Sequence, residues 1–174
     1  MHRVALTGPE STGKTSLSRQ LAAHYRTNWA PEYARAYLEA KGPQYTLADL
    51  EAIAHGQLRA EASAAAEAAQ QGLPLVFCDT DLLVIKIWAE HAFGRCPGWI
   101  RRRIEEQRYD LVLLLNVDLP WEPDPLREHP HLRQHFYQLY RSNLQEQRAH
   151  FIEISGPPEQ RFEQARYQVD QVLR

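Results

Sequence analysis

Eight consecutive residues near the start of the chain have the types and spacing that bind nucleotide phosphates. Residues 8–15 are Gly-Pro-Glu-Ser-Thr-Gly-Lys-Thr and match the pattern G-x-x-x-x-G-K-[ST] at every position. In this pattern, backbone N–H groups surround the β-phosphate, the Lys14 ammonium neutralises the β- and γ-phosphates, and the Thr15 hydroxyl reaches Mg²⁺. We expect ATP rather than GTP, because no N-K-x-D segment that would recognise guanine is present. The predicted nucleotide-binding residues of this loop are Gly8, Glu10, Ser11, Thr12, Gly13, Lys14, Thr15 and Ser16.

A second candidate group follows the apolar run at 75–78, where the sequence continues Asp79-Thr80-Asp81. In proteins with such a phosphate loop, a strand that ends in Asp places a carboxylate beside the phosphates, where it holds Mg²⁺ directly or through water. Asp79 and Thr15 therefore form the predicted metal site. Asp81 has two alternatives that the sequence leaves open: binding of substrate hydroxyls or metal, and capping of the helix that begins at Leu82.

The stretch 29–37 has a carboxylate, aromatic rings and an arginine at helical spacing. Glu32 lies just past a short strand, at the sheet edge where open α/β sheets bind ligands, and could orient or deprotonate an acceptor hydroxyl. Tyr33 and Arg35 are candidates for the acceptor pocket. The alternative is an ordinary amphipathic helix in which Glu32 interacts favourably with the helix dipole.

The residues between 118 and 133 form a candidate lid. Four prolines lie between 120 and 130, which indicates a loop rather than a helix or strand. Arg127 and Arg133 could close over the ATP phosphates and exclude water. Trp121 and Asp124 are candidates for substrate contact. The alternative is a proline-stiffened surface loop with solvated arginines.

Alternating apolar runs and helical patterns predict the elements that position these residues. The runs at 75–78 and 111–115 are apolar without alternation, which is typical of parallel strands covered on both faces. We therefore predict a three-layer α/β fold with a five-stranded parallel sheet. The predicted strands are 4–6, 28–30, 75–78, 111–115 and 151–154. The predicted helices are 14–25, 32–41, 46–71, 82–93, 99–107, 132–148 and 157–172.

Composition limits the class of protein. The 174 residues, 44% apolar and 24% charged, suit one globular domain spanning 1–174. A net charge of −2 disfavours non-specific nucleic-acid binding, and no apolar run is long enough for a membrane span or a signal peptide. Two cysteines are typical of a reduced cytoplasmic protein. We expect a small-molecule partner, and homo-oligomer formation stays open.

The ordered set of segments 8–15, 32–35, 79–81 and 121–127 resembles the NadR-type ribosylnicotinamide kinases over essentially the whole chain. The resemblance implies a strand order like that of nucleoside monophosphate kinases. It also implies phosphoryl transfer from Mg-ATP to the 5′-hydroxyl of nicotinamide riboside, which gives nicotinamide mononucleotide. The catalytic residues under this reading are Lys14, Glu32, Asp79 and Arg127. The substrate-binding candidates are Trp29, Glu32, Tyr33, Arg35, Asp81, Trp88, Trp121 and Asp124, with the aromatic ones placed to flank the nicotinamide ring.

The chain departs from the multifunctional members of that family. They carry a nucleotidyltransferase domain with an H-x-G-H motif, and this sequence contains no such motif. We therefore expect a stand-alone kinase domain that neither completes NAD synthesis nor regulates transcription. Two alternatives stay open: a kinase for another nucleoside or a nucleoside monophosphate, and a regulatory ATPase with the same phosphate loop that phosphorylates no acceptor.

Overall fold

The computed structural model, which describes residues 1–174, has five parallel strands with one or two helices after each. The strands are β1 (His2–Thr7), β2 (Asn28–Ala30), β3 (Leu75–Asp79), β4 (Leu111–Leu115) and β5 (Phe151–Ile154). The helices are α1 (Lys14–Tyr25), α2 (Tyr33–Lys41), α3 (Leu47–Gln70), α4 (Leu82–Phe93), α5 (Gly98–Glu106), α6 (Arg133–Glu146) and α7 (Pro158–Val172). The predicted order of elements is confirmed.

Most boundaries lie within one or two residues of prediction, and the C-terminal end of α6 differs for a local reason. Helix α6 ends two residues earlier than expected, because Arg148 has φ 51°, in the left-handed region where a right-handed helix cannot continue. The N–H of Ala149 then turns back to the carbonyl oxygen of Leu144 at 3.0 Å. This turn leads the chain directly into β5.

The strand order in the sheet is β2-β3-β1-β4-β5, and every neighbouring pair is parallel. The predicted three-layer fold of nucleoside monophosphate kinase type is therefore confirmed. In the register of β1 against β3, Leu6 lies beside Asp79. The loop that follows β1 consequently emerges next to the carboxyl end of β3, at the edge where sheets of this kind bind ligands.

Both faces of the sheet are covered by helices, which explains why every residue of β3 and β4 is buried. Helices α1 and α7 pack on one face, where Leu21 and Val169 join the core. Helices α3, α4 and α6 pack on the other face, with Ile87 and Leu144 in their core. A third apolar cluster joins α2, α3, α4 and α5.

The start of α3 holds α2 in place. Thr46 and Asp49 form a capping box there, as the spacing predicts. The Asp49 carboxylate also accepts hydrogen bonds from Lys41 and from the Tyr37 hydroxyl at 2.5 and 2.6 Å. The Lys41 ammonium and the hydroxyls of Tyr37 and Thr46 hold the pKa of Asp49 well below its usual range. The C-terminal half of α2, the helix that follows Glu32, is thereby attached to the start of α3.

None of the seven helices combines the length and the apolar composition needed to cross a lipid bilayer.

Candidate functional site

The phosphate loop between β1 and α1 has a backbone that requires glycine at two positions. Gly8 has φ 136°, and a Cβ there would lie 2.9 Å from the carbonyl oxygen of Leu115. Gly13 has φ 83° and precedes the first turn of α1 without any side-chain cap. The first N–H groups of α1 are therefore free to bind an anion, which the helix dipole also favours.

The Lys14 ammonium lies within this loop. Its Nζ donates to the carbonyl oxygens of Gly8 and Pro9 at 3.0 and 2.9 Å. A phosphate oxygen carries more negative charge than a peptide carbonyl and forms the stronger bond with an ammonium. Lys14 is therefore positioned to transfer these bonds to a bound β- or γ-phosphate.

Arg161, which sequence reasoning missed, supports the loop from α7. The residue is only 2% exposed, and its guanidinium donates to the carbonyl oxygen of Thr12 at 2.7 Å. It also donates to the carbonyl oxygen of Asn116 and pairs with Asp118. No local signal identifies it, since it lies 149 residues from Thr12 on an amphipathic helix rich in polar residues.

Asp79 and Thr15 meet directly. The Thr15 hydroxyl donates to Oδ2 of Asp79 at 2.6 Å, and Oδ1 of the same fully buried carboxyl has no hydrogen-bond partner. Burial raises the pKa of Asp79 to about 6, the Thr15 bond opposes this, and the nearby Glu32 carboxylate raises it further. A hydroxyl and an unpartnered carboxylate oxygen are the hard ligands that Mg²⁺ takes together with substrate phosphates. The two residues thus fit a magnesium ion.

Asp81 faces a different environment. Its Oδ1 accepts a hydrogen bond from the Thr7 hydroxyl at 3.0 Å and another from the N–H of Val84 at 3.3 Å. It is the N-cap of α4 and is 4% exposed. Burial raises its pKa to about 6. Its contacts are those of a helix cap, and it does not line the cavity described next.

A cavity of about 550 Å³ extends from the phosphate loop to the space between α2, α3, α4 and the segment 118–133. It brings together most of the residues predicted for nucleotide and acceptor. Those that line it are Glu10, Ser11, Thr12, Gly13, Lys14, Thr15, Ser16, Glu32, Arg35, Trp88 and Arg127. Those that do not are Gly8, Trp29, Tyr33, Asp79, Asp81, Trp121, Asp124 and Arg133.

The end of the cavity away from the phosphate loop is largely apolar. Trp88 lies there, with the Tyr45 ring edge-on at 4.8 Å between centroids. Leu38, Ile53 and Leu126 add aliphatic walls. Sequence reasoning did not single out Tyr45 or the two aliphatic helix residues, because an apolar residue facing a cavity has the same pattern as one facing the core.

Three predicted aromatic residues lie elsewhere. Trp29 packs on the core beneath α1, with the Arg19 guanidinium 5.3 Å from its ring. Trp121 lies beside Arg133, whose guanidinium is 5.6 Å from the indole. The Tyr33 ring packs against the backbone of α3. In this arrangement, Trp88 alone of the four aromatic candidates lines the cavity.

The lid segment, residues 118–133, is attached to the phosphate loop by Glu10 and Ser11. The Glu10 carboxylate accepts from the N–H groups of Glu128 and His129 at 3.2 and 3.3 Å. The Ser11 hydroxyl accepts from the N–H of Glu122 at 2.9 Å. Side chains of the phosphate loop therefore hold the lid segment over the site.

The two predicted arginines have different surroundings. Arg127 lines the cavity and donates to the Ser11 hydroxyl at 3.4 Å and to the carbonyl oxygen of Glu122. Arg133 donates to the carbonyl oxygens of Ser11 and Leu119 at 3.1 and 3.0 Å. Arg127 can exchange these two bonds for stronger ones to a bound phosphate, whereas Arg133 holds the base of the lid segment to the loop.

Arg35 and Asp124 connect α2 to the lid segment. Their charged groups lie 3.2 Å apart, and Asp124 also accepts from the N–H of Leu126 at 2.9 Å. That N–H and the Arg35 guanidinium lower the pKa of Asp124. The pair joins the helix that follows Glu32 to the segment that contains Arg127, and of the two residues only Arg35 lines the cavity.

Comparison with known proteins places the chain in a family. The AAA domain family matches residues 3–161. The trifunctional NAD biosynthesis/regulator protein NadR of Escherichia coli (strain K12) is 31% identical over 157 residues, 87% of this chain and 37% of that protein. NadR of Salmonella typhimurium (strain LT2) is 32% identical over 130 residues, 71% of this chain and 30% of that protein. The chain thus spans about a third of these curated relatives.

Solved structures show the same fold. A NadR protein crystallised with NAD and AMP-PNP superposes with a TM-score of 0.81 at 26% identity, over 98% of this chain and 49% of that one. A deoxyadenosine kinase from M. mycoides superposes with a TM-score of 0.65 over 97% of this chain, at 11% identity. The family match over residues 3–161 shows that the chain belongs to the AAA domain family, and its fold is that of a portion of NadR.

Proposed function

We propose that this chain phosphorylates the 5′-hydroxyl of nicotinamide riboside with ATP, giving nicotinamide mononucleotide and ADP. The observation that carries the proposal is a carboxylate, Glu32, on the same cavity as Lys14 and Thr15 of the phosphate loop. A nucleotide-binding loop facing an acceptor carboxylate is the arrangement that phosphoryl transfer to a hydroxyl needs. The similarity to NadR, a protein of NAD biosynthesis, supports the choice of acceptor.

Five side chains of the site have roles in this reaction. Lys14 and the first N–H groups of α1 bind the phosphates, and Arg127 stabilises charge on the transferring group. Glu32 orients the acceptor hydroxyl and accepts its proton as the new P–O bond forms. Thr15 and Asp79 would hold Mg²⁺, which neutralises charge on the β- and γ-phosphates when bound.

The apolar end of the cavity suits a flat ring. A pyridinium carries positive charge, and an aromatic face attracts such a cation within about 6 Å of its centroid. Trp88, supported by Tyr45, is the aromatic residue placed to provide that face. Trp29, Tyr33 and Trp121 do not line the cavity, so we leave them out of the proposed acceptor site.

A phosphate-transfer assay with Mg-ATP tests the proposal. The acceptors are nicotinamide riboside, nicotinic acid riboside, the common nucleosides and their monophosphates, with product identified by mass. We expect nicotinamide mononucleotide, with a kcat/KM for nicotinamide riboside well above that for ordinary nucleosides. Turnover of another nucleoside in its place would contradict the proposed acceptor. ADP without any phosphorylated acceptor would contradict the kinase assignment itself.

A further inference from the structure

Gln57 on α3 joins the two backbone segments that carry Glu32 and Asp79. Its side chain is 1% exposed. The amide oxygen accepts from the N–H of Tyr33 at 2.9 Å. The amide nitrogen lies 3.5 and 3.4 Å from the carbonyl oxygens of Asp79 and Thr80. The orientation of the amide follows from its neighbours, since only the oxygen can pair with an N–H and only the nitrogen with carbonyls.

The start of α2 explains why Glu32 needs this contact. Glu32 is the N-cap of the helix, but its own side chain makes no capping hydrogen bond. The first N–H groups of a helix need acceptors from outside it. Gln57 supplies one of them to the N–H of Tyr33, the first helical residue, whose N–H an N-cap side chain does not usually reach. The Glu32 carboxylate makes no capping bond and lines the cavity.

Gly56, the residue before Gln57, leaves the space that the contact between Gln57 and Tyr33 needs. A Cβ on Gly56 would lie 2.1 Å from the ring of Tyr33, well inside van der Waals contact. Glycine is unfavourable in a helix interior, and close approach of another group is the usual reason for it there. Gly56 therefore allows Tyr33, and with it Glu32, to lie directly against α3.

The amide nitrogen of Gln57 contacts the backbone at Thr80, which is strained. Thr80 has φ 82°, in the left-handed region that a β-branched residue seldom adopts. Such a conformation persists only where surrounding contacts fix it. Here the N–H of Thr80 donates to the carbonyl oxygen of Leu6 at 3.0 Å, and the Gln57 amide lies against its carbonyl.

We infer that Gln57, together with Gly56, is a positioning residue that fixes the Glu32 carboxylate relative to the Asp79 end of β3. The inference rests on the proposed function, because it assigns the purpose of the contact to the acceptor hydroxyl that Glu32 orients. Reacting groups must be held within a fraction of an ångström, and a loss of that placement lowers kcat more than it weakens ATP binding. Gln57 itself lines the cavity, and the inference assigns its effect to the placement of Glu32 rather than to direct contact with the acceptor.

A double-mutant cycle tests whether Gln57 acts through Glu32. The variants are Gln57→Leu, Glu32→Gln and the double variant, assayed with saturating Mg-ATP. We expect Gln57→Leu to lower kcat about 100-fold with the KM for ATP unchanged. In the Glu32→Gln background the same change should lower kcat less than about 3-fold, since coupled residues are non-additive. Equal factors in both backgrounds would overturn the inference.

Matched variants separate positioning from a general loss of stability. Gln70→Leu makes the same substitution at an exposed place on α3 and should leave kcat unchanged. Gly56→Ala tests the same contact if Gln57→Leu does not fold, and should lower kcat with an unchanged KM for ATP. Gly98→Ala is its control, because a Cβ there would meet only the Arg102 guanidinium at 3.9 Å. A normal kcat in folded Gly56→Ala would overturn the inference.

Failure of the inference differs from failure of the proposed function. If the wild-type chain phosphorylates a nucleoside other than nicotinamide riboside, the proposed acceptor is wrong. The cycle is then measured with that nucleoside and still decides the role of Gln57. An additive cycle in an enzyme that makes nicotinamide mononucleotide overturns the positioning role alone. A wild-type chain that phosphorylates no acceptor overturns both.

Discussion

The Thr15 hydroxyl donates a hydrogen bond to Oδ2 of Asp79, while Oδ1 of the same carboxyl is buried without a partner. A buried carboxylate with an unsatisfied oxygen destabilises the protein. A polar group kept at such a cost is typical of functional sites. The arrangement leads to one prediction about stability and another about magnesium.

The first prediction is that Asp79→Asn stabilises the unliganded protein at high pH. Burial raises the pKa of Asp79 from 3.8 to about 6, so the folded state favours the protonated form. The contribution of this group to the free energy of unfolding is fully present below pH 4. It is lost as the pH rises through 6, which lowers the free energy of unfolding by about 1–3 kcal/mol. Asparagine carries no charge, so the variant should be more stable than the wild type by about that amount at pH 8, and by much less at pH 4. Urea denaturation at the two pH values measures the difference.

Asp110→Asn is a control of opposite sign. Partial burial tends to raise the pKa of Asp110, but hydrogen bonds from the N–H of Arg3 and from His2 outweigh it, and the pKa lies below its usual value. Folding therefore favours the ionised form of Asp110. The carboxylate stabilises the folded protein above pH 4, and this stabilisation is lost as the pH falls below 4. Asp110→Asn should lower stability at pH 8. An Asp79→Asn variant that also loses stability at pH 8 would contradict the first prediction.

The second prediction concerns magnesium. Asp79→Asn removes the anionic oxygen that would bind the ion, but the amide oxygen can still accept the Thr15 hydrogen bond. We expect binding of ADP without metal to change little, whereas the gain in nucleotide affinity on adding Mg²⁺ should largely disappear. Titration of a fluorescent ADP analogue with and without Mg²⁺ measures both. A full magnesium effect in the variant would remove Asp79 from the metal site.

The phosphate loop and the sheet were predictable because their signals are local. The loop motif needs eight adjacent residues, and Asp79 directly follows a buried strand. Gln57 and Arg161 were not predictable in this way. They reach the site from helices that are distant in sequence, and each bonds to backbone atoms, which leave no trace in residue type. Only the packing of α3 and α7 against the sheet brings them there.

The tryptophans were predicted to lie at the site from residue type, and most of them pack elsewhere. Their number suggests a site for a flat ring, but a large aromatic residue fills a core as readily as it lines a cavity. Trp29 lies on β2, where successive side chains point to opposite faces of the sheet. Its side chain is on the face covered by α1, so it packs there. Sequence alone does not state which face of a three-residue strand is buried against which helix.

The third prediction separates the two lid arginines. Arg127 lines the cavity, and its guanidinium bonds only to the Ser11 hydroxyl and the Glu122 carbonyl oxygen of the flanking loops, so it can turn to contact the transferring phosphoryl group. Arg127→Ala should lower kcat about 100-fold or more, as loss of a donor to developing charge does. Arg133 holds the lid segment to the loop through carbonyl oxygens. Arg133→Ala should mainly raise the KM for ATP.

Steady-state kinetics of both variants, with ATP and acceptor varied separately, measure this division. Arg108→Ala is the matched control, because Arg108 is exposed and lies outside the main cavity. It should change neither constant. If Arg127→Ala raised only the KM for ATP, Arg127 would be a ground-state binding residue, and its predicted catalytic role would be wrong.

The fourth prediction distinguishes Trp88 from Trp29 in acceptor binding. Trp88 lines the apolar end of the cavity, and loss of its ring removes the face proposed for the pyridinium. Trp88→Leu should therefore raise the KM for the acceptor about 10-fold, the equivalent of about 1.4 kcal/mol, with the KM for ATP unchanged. Trp29→Leu removes core packing on β2 instead, and should lower the melting temperature without changing the KM for the acceptor. Kinetics and thermal unfolding of the two variants together test the assignment, and the reverse pattern would place the ring site at Trp29.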